Sequence, residues 1–171
     1  MEKRDITIRT ELRPGDIGYI IHLHGKVYGE EYAFGIAFET YVAKGLCEFY
    51  SQYDPIKDRV WICEHEDRIV GFLLLMHREE DAAQLRYFIL EPAYRGMGLG
   101  KRLMDLYMEH LRLTGYRSSY LWTTNEQVTA AALYKRYGFV QTEEKASEAF
   151  GKPLYELKFE LHDTTSLERA G

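Results

Sequence analysis

The sequence predicts an α/β sandwich, a sheet covered by helices, and three observations carry that prediction. Stretches with apolar residues at three- and four-residue intervals take turns with short runs that alternate in polarity or are apolar throughout. The most apolar run, Ile69 to Met76, is far too short to span a bilayer and suits a strand buried on both faces. Between a strand pattern ending at Leu90 and a helical pattern running on through Leu103 lies Glu91-Pro92-Ala93-Tyr94-Arg95-Gly96-Met97-Gly98-Leu99-Gly100-Lys101, a glycine-rich turn. The 171 residues suit one domain with a full core, expected over residues 1–162, with a flexible tail over 163–171.

Taken in order, Ile6 to Arg9 alternates as a first strand, and Asp16 is placed to cap the helix that follows. Ile17, Ile20, Ile21, His24 and Tyr28 keep helical spacing, as do Phe34, Phe38, Tyr41, Val42, Leu46, Phe49 and Tyr53 in a second helix stopped by Asp54-Pro55. Arg59 to Glu64 and Arg68 to Met76 read as a strand pair joined by His65-Glu66-Asp67, with the second strand central, and Leu85 to Leu90 is the next strand. A long helix presents Leu103, Leu106, Tyr107 and Leu111 on one face and stops at Thr114-Gly115. Ser119 to Trp122 is a strand, Thr124-x-x-Gln127 matches a capping box, and the helix carrying Leu133 and Tyr134 ends at Gly138. Phe139 to Gln141 and Tyr155 to Leu161 are the last strands; in the second, Tyr155, Leu157, Phe159 and Leu161 face one way while Glu156, Lys158 and Glu160 face the other.

The glycine-rich turn is built to receive an anion. Its glycines leave backbone N–H groups uncovered where a helix begins, the first helical turn has no internal acceptors for them, and the helix dipole favours negative charge there. A Walker-type loop needs Gly at 95 and Ser or Thr at 102, where Arg95 and Arg102 stand. A dinucleotide fingerprint needs a third glycine at 101 or 103, where Lys101 and Leu103 stand. Arg-x-x-Gly-x-Gly does fit, at Arg95, Gly98 and Gly100, and it resembles the coenzyme A pyrophosphate loop of the GNAT superfamily of N-acetyltransferases. A second block, Ala130-Ala131-Ala132-Leu133-Tyr134-Lys135-Arg136-Tyr137-Gly138-Phe139, resembles that family's later signature helix.

The resemblance implies a mixed, mostly antiparallel sheet flanked by helices, in the order strand, two helices, three strands, helix, strand, helix, two strands. It implies transfer of an acetyl group from acetyl-CoA to a primary amine by direct attack on the thioester, the acceptor being a small molecule or a peptide amine. An acyl-CoA-binding sensor without turnover is the alternative on the same scaffold. The cofactor residues it implies are Arg95, Gly96, Met97, Gly98, Leu99, Gly100 and Lys101 for the pyrophosphate, the backbone of Phe88, Ile89 and Leu90 for the pantetheine arm, and Asn125. Tyr134 falls where the family keeps a tyrosine as general acid toward the leaving thiolate; by itself it also suits an amphipathic residue at the edge of the core.

The amine must lose a proton, and for a pKa of ~10.4 the neutral form at pH 7 costs roughly 4.6 kcal/mol. The glutamate that many relatives carry early in the strand before the loop is missing: that region reads Asp81-Ala82-Ala83-Gln84. His77, Glu79, Glu80 and Asp81 lie nearby in sequence, Glu30 and Glu31 lie between the first two helices, and a water relay is a further route, so no base is assigned. Tyr28, Glu31, Tyr32 and Trp122 are candidates for an acceptor pocket, and each also suits ordinary packing or surface charge. The net charge of −5, spread along the chain, offers no basic patch for nucleic acid. Cys47 and Cys63 have no metal-ligand spacing and nothing at the start resembles a signal peptide, so the expectations are no metal, no membrane and a cytoplasmic location. The family resemblance allows a homodimer.

Overall fold

A computed structural model of the chain describes residues 5–162 and 164. Seven strands form one mixed sheet: β1 (Thr7–Arg9), β2 (Arg59–His65), β3 (Arg68–His77), β4 (Ala82–Leu90), β5 (Ser118–Thr124), β6 (Val140–Ser147) and β7 (Leu154–His162). Their order across the sheet is β1-β2-β3-β4-β5-β7-β6, and every neighbouring pair is antiparallel except β4 with β5. Helices α1 (Asp16–Tyr32) and α2 (Ile36–Ser51) cover one face, and α3 (Leu99–Thr114) and α4 (Val128–Arg136) cover the other. The predicted element order is the observed one, and β6 is longer than its apolar start suggested because its polar continuation, exposed almost throughout, pairs with β7 to Ser147.

Each face has its own core. Ile20, Phe38, Val42, Leu46 and Phe49 pack on Ile62, Phe72 and Leu74, while Leu103, Met104, Tyr107 and Leu111 pack on Trp61, Leu73, Leu75, Leu121 and Phe159. β3 serves both cores and is buried from Ile69 through Met76, as its unbroken apolar run requires. Glu66 and Asp67, both at positive φ, form the two-residue link between β2 and β3. Of the tail expected over 163–171, only Thr164 is described; it is buried, and its hydroxyl donates to the Tyr116 carbonyl.

Two helix caps differ from expectation. Asp16 is the first residue of α1, not its cap: Gly15 takes that place in the left-handed region, and the Asp16 carboxylate accepts both terminal nitrogens of Arg9 at 2.7 and 2.8 Å and the Arg13 amide at 2.7 Å. At α4 the cap is Gln127; its Oε1 returns to the Thr124 amide at 3.2 Å, but the Thr124 hydroxyl donates to that same oxygen and not back to the helix. Burial alone would raise the Asp16 carboxyl, but the Arg9 fork and the Arg13 amide outweigh it and hold it below the usual range. Its stabilisation is therefore present above the unfolded-state pKa of ~3.9 and is lost as pH falls through the lower folded-state value. Asp16→Ala is expected to cost about 1–3 kcal/mol at neutral pH, measured by denaturant unfolding, with the gap to the parent closing in acid.

Candidate active site

β4 and β5 pair only from Ala82 to Gln84, against Ser118 to Tyr120. Beyond that point β5 follows β7 to Thr124 and β4 follows β3 to Leu90, so the two parallel strands part and the β5-facing edge of Leu85 to Leu90 has no strand partner. A bulge accompanies the divergence: Arg86 pairs with Leu74 and Ile89 with Phe72, which leaves Tyr87 and Phe88 opposite Leu73 alone. Tyr87 has φ 57°, a left-handed conformation that a bulky residue adopts only where its surroundings enforce it, and the bulge bends the strand.

The chain leaves this free edge directly into the glycine loop. A 3₁₀ turn at Pro92–Tyr94 leads to Gly96 and Gly98, both in the left-handed region at φ 76° and 82°, and Gly98 caps α3 without any side-chain hydrogen bond. The first loop bond into the helix runs from the Arg102 amide to the Gly98 carbonyl. The amides of Gly96, Met97, Gly98, Leu99, Gly100 and Lys101 consequently have no acceptor among the described residues. A Cβ at Gly100 would stand 3.6 Å from Leu133 Cδ2 and Phe88 Cζ, ordinary contact, so nothing in the protein's own packing demands glycine there.

The loop cations are held loosely. Arg95 Nη1 meets Glu31 Oε1 at 2.7 Å while its Nε donates to the Leu90 carbonyl at 3.2 Å; Lys101 Nζ lies 3.2 Å from Asp105. Exposed pairs of this kind contribute about 0–1 kcal/mol, so either cation can turn to a bound phosphate at little cost.

Where β4 and β5 part, a cleft opens toward α1 and α2. Its floor and walls carry Tyr28, Phe88, Trp122, Tyr134 and Gln127, and its outer part carries Phe34, Phe38, Tyr41 and Phe150. Gln127 crosses it, donating from Nε2 to the Tyr28 hydroxyl at 3.0 Å while its Oε1 takes the Thr123 hydroxyl at 3.0 Å. Tyr134 packs its ring 6.3 Å from Phe88 and 6.2 Å from Phe139, and its hydroxyl has no hydrogen-bond partner among the described residues. Burial first, then the neighbouring Tyr28 and Tyr107, push its phenol well above the ordinary range, so it is a proton donor at any physiological pH.

Three titratable or charged groups besides the tyrosines line the cleft: His24, Arg86 and Glu156. His24 donates from Nδ1 to the Ile20 carbonyl at 2.8 Å, and burial pushes its pKa down to about 4 against that bond, so the ring is neutral. Glu156 stands on β7 opposite Thr124 and has no ion-pair partner among the described residues. Gln84, at the place where a glutamate was looked for, accepts Arg78 Nε at 2.9 Å and the Tyr120 hydroxyl at 3.3 Å, an acceptor already occupied by donors.

The sequence-predicted site residues divide accordingly. Tyr134, Phe88, Tyr28 and Trp122 line the cleft, Trp122 lying under the Lys145 ammonium at 4.7 Å. Ile89 and Leu90 point their side chains into the two cores and contribute only backbone edge. Glu31 and Tyr32 lie outside the cleft: Glu31 belongs to the loop through Arg95, and Tyr32 packs its ring on Tyr28 at 5.5 Å while its carbonyl accepts Lys152. Asn125 lies outside the residues lining the cleft; its Oδ1 accepts the Tyr155 amide at 2.9 Å beside a separate hollow at the end of β5. Arg86, Glu156, His24 and Gln127 were missed as site residues: strand register carries Arg86 and Glu156 to the cleft, and the packing of α1 and the start of α4 carries His24 and Gln127. No group of three metal-ligating side chains occurs among the described residues, and no helix among them is long and apolar enough to cross a membrane.

The comparisons with known proteins converge on one family. The model described as Acetyltransferase (GNAT) family matches residues 28–139, about two thirds of the chain. An uncharacterised N-acetyltransferase of Escherichia coli K12, YjgM, is 35% identical over 103 residues, covering 58% of this chain and 62% of its own; the chain thus spans less than two thirds of that relative. Among solved structures, an acetyltransferase of the GNAT family from Staphylococcus aureus Mu50 superposes with TM-score 0.74 at 16% identity, covering 92% of this chain and 99% of its own. The yncA protein of Salmonella typhimurium, solved with its cofactor acetyl-CoA, superposes with TM-score 0.70 at 18% identity over 92% and 94%. At those identities the likeness is one of fold.

Proposed function

The chain belongs to the GNAT family of acetyltransferases, and from that premise we propose that it moves an acetyl group from acetyl-CoA to a primary amine by direct attack on the thioester. The observation that carries this reading is the continuity of two unsatisfied backbone surfaces. The open edge of β4 ends where the six acceptor-less loop amides begin, so one extended ligand with an amide-bearing arm and a pyrophosphate answers both. The residues that would hold it are Gly96 to Lys101 through their amides, Arg95 and Lys101 through charge, and Phe88 to Leu90 through backbone.

With the donor so laid, its thioester falls near Phe88 and Tyr134, and the amine enters from the aromatic end of the cleft. The amine nitrogen bonds to the acyl carbon and becomes positively charged, the tetrahedral intermediate expels sulfur, the Tyr134 hydroxyl gives its proton to the leaving thiolate, and the proton then shed by the amide nitrogen restores the Tyr134 hydroxyl through water. The ammonium form of the amine must first lose a proton; Glu156, a carboxylate on the same cleft with no ion pair among the described residues, takes it directly or through water. Holding both reactants in line contributes several further kcal/mol.

Calorimetric titration with acetyl-CoA, followed by an amine panel with thiol release recorded, tests the reading. Binding with amine-dependent thiol release is the expected result; binding without release from any amine favours a sensor, and absence of binding removes the loop from the argument. Glu156→Gln is expected to lower kcat/KM by about 10²-fold at pH 7 with acetyl-CoA affinity unchanged. That deficit should shrink as pH rises toward the amine pKa, because the acceptor then arrives deprotonated; a pH-independent deficit would make Glu156 a binding residue only.

A further inference from the structure

Arg86 is the one permanent cation lining the cleft, and the chain does not use up its charge. Its side chain is only 10% exposed, yet of its five N–H donors the protein engages one, to the Tyr41 hydroxyl at a long 3.4 Å. Glu48 Oε2 stands 3.7 Å from its Nη1 while Glu48 Oε1 takes Arg78 Nη1 at 2.9 Å; two guanidiniums share one carboxylate, which leaves a net positive charge beside the cleft. The Arg86 guanidinium is held in place by rings, with its carbon 4.8 Å from the centre of Tyr87 and 5.7 Å from that of Tyr41. A nearly buried guanidinium, pre-positioned by rings and with donors to spare, is suited to receive an anion from the cleft.

We propose that Arg86 receives a carboxylate of the acceptor, and hence that the acceptor is an amino acid. This rests on the transfer reading above and names its substrate class. Arg86 and Phe88 both stand on β4 and line the cleft, Arg86 against α2 and Phe88 against Tyr134, so a carboxylate on Arg86 and an amine at Phe88 share one cleft. A lysine side chain of a polypeptide brings no carboxylate of its own to that place, and a polyamine would place a second cation against Arg86. Glu156 on the other side of the cleft completes the match to a zwitterion, and Phe34, Phe38, Tyr41 and Phe150 suit an apolar side chain.

The test is a binding comparison with product-like probes. N-acetylphenylalanine and N-acetylphenylalaninamide, which differ only at the carboxylate, are titrated into the protein alone and into the protein saturated with CoA. The acid is expected to bind about tenfold tighter or more, Arg86→Lys to keep part of that preference, and Arg86→Gln to abolish it. Equal affinity for the two probes, no binding of either, or a preference that survives Arg86→Gln would overturn the proposal, and the comparison on the parent protein decides even if a variant folds poorly. Failure of acetyl-CoA to bind would instead sink the transfer reading while leaving the acid-to-amide ratio to stand or fall by itself.

Discussion

Tyr134→Phe is expected to lower turnover about 10²–10⁴-fold while acetyl-CoA binds as before. The substitution removes one oxygen and keeps the ring, which packs against Phe88, Phe139 and Phe159. Since the hydroxyl has no partner among the described residues, its loss orphans no donor or acceptor, and thermal stability should stay level or rise. What disappears is a proton source. Burial, with Tyr28 and Tyr107 adding to it, keeps the phenol protonated, so it transfers its proton only to a strong base, and the thiolate expelled from the tetrahedral intermediate is the base the reaction generates. Steady-state kinetics, calorimetry and a melting curve on the same preparation separate the roles: equal losses in turnover and acetyl-CoA affinity would make Tyr134 a wall of the donor site, and unchanged turnover would give the proton to another group.

The fold was legible because its elements obey local rules. A strand apolar on both faces has to be central, and β3 is; the Leu103, Tyr107 and Leu111 stripe has to be buried, and α3 buries it. The loop was legible for the same kind of reason, since left-handed φ at Gly96 and Gly98 and bare amides at a helix start are properties of consecutive residues. Side-chain pairings that residue type alone does not specify were not legible. Asp16 has a cap's residue type in a cap's position, but its oxygens take the Arg9 fork and the Arg13 amide, and Gly15 stands as the cap.

The acceptor side was the least legible part. Tyr28, Glu31 and Tyr32 were grouped by adjacency, yet Tyr28 lines the cleft while Glu31 is drawn to Arg95 of the loop and Tyr32 packs on Tyr28 outside the cleft. Glu156 had a visible signal, its alternation opposite Leu157 and Phe159, but alternation tells only that a residue leaves one core, not what it then faces. The register of β5 with β7 supplies that: Thr124 sits beside Glu156 at the point where β4 has already turned away.

Gly100→Glu is expected to weaken acetyl-CoA binding by at least about 100-fold, roughly 2.8 kcal/mol, in a protein at least as stable as the parent. Gly100 is the second residue of α3 with ordinary helical φ, and a side chain there meets only van der Waals contact with Leu133, Phe88 and Leu90. Glutamate has the better helix propensity by ~0.5–1 kcal/mol and is favoured again by the dipole at a first turn. The field that welcomes the new carboxylate is the field proposed to hold the pyrophosphate, so the two compete, and unit charges 4 Å apart at an effective dielectric of 20 repel by about 4 kcal/mol. Gly98→Ala separates this from backbone effects: at φ 82° any side chain is strained by about 1–2 kcal/mol, so that variant should lose stability before affinity, the reverse of Gly100→Glu. Calorimetry with acetyl-CoA and urea unfolding on both variants read the contrast. An undiminished affinity in Gly100→Glu would mean that these amides do not carry the pyrophosphate, whatever else the loop does.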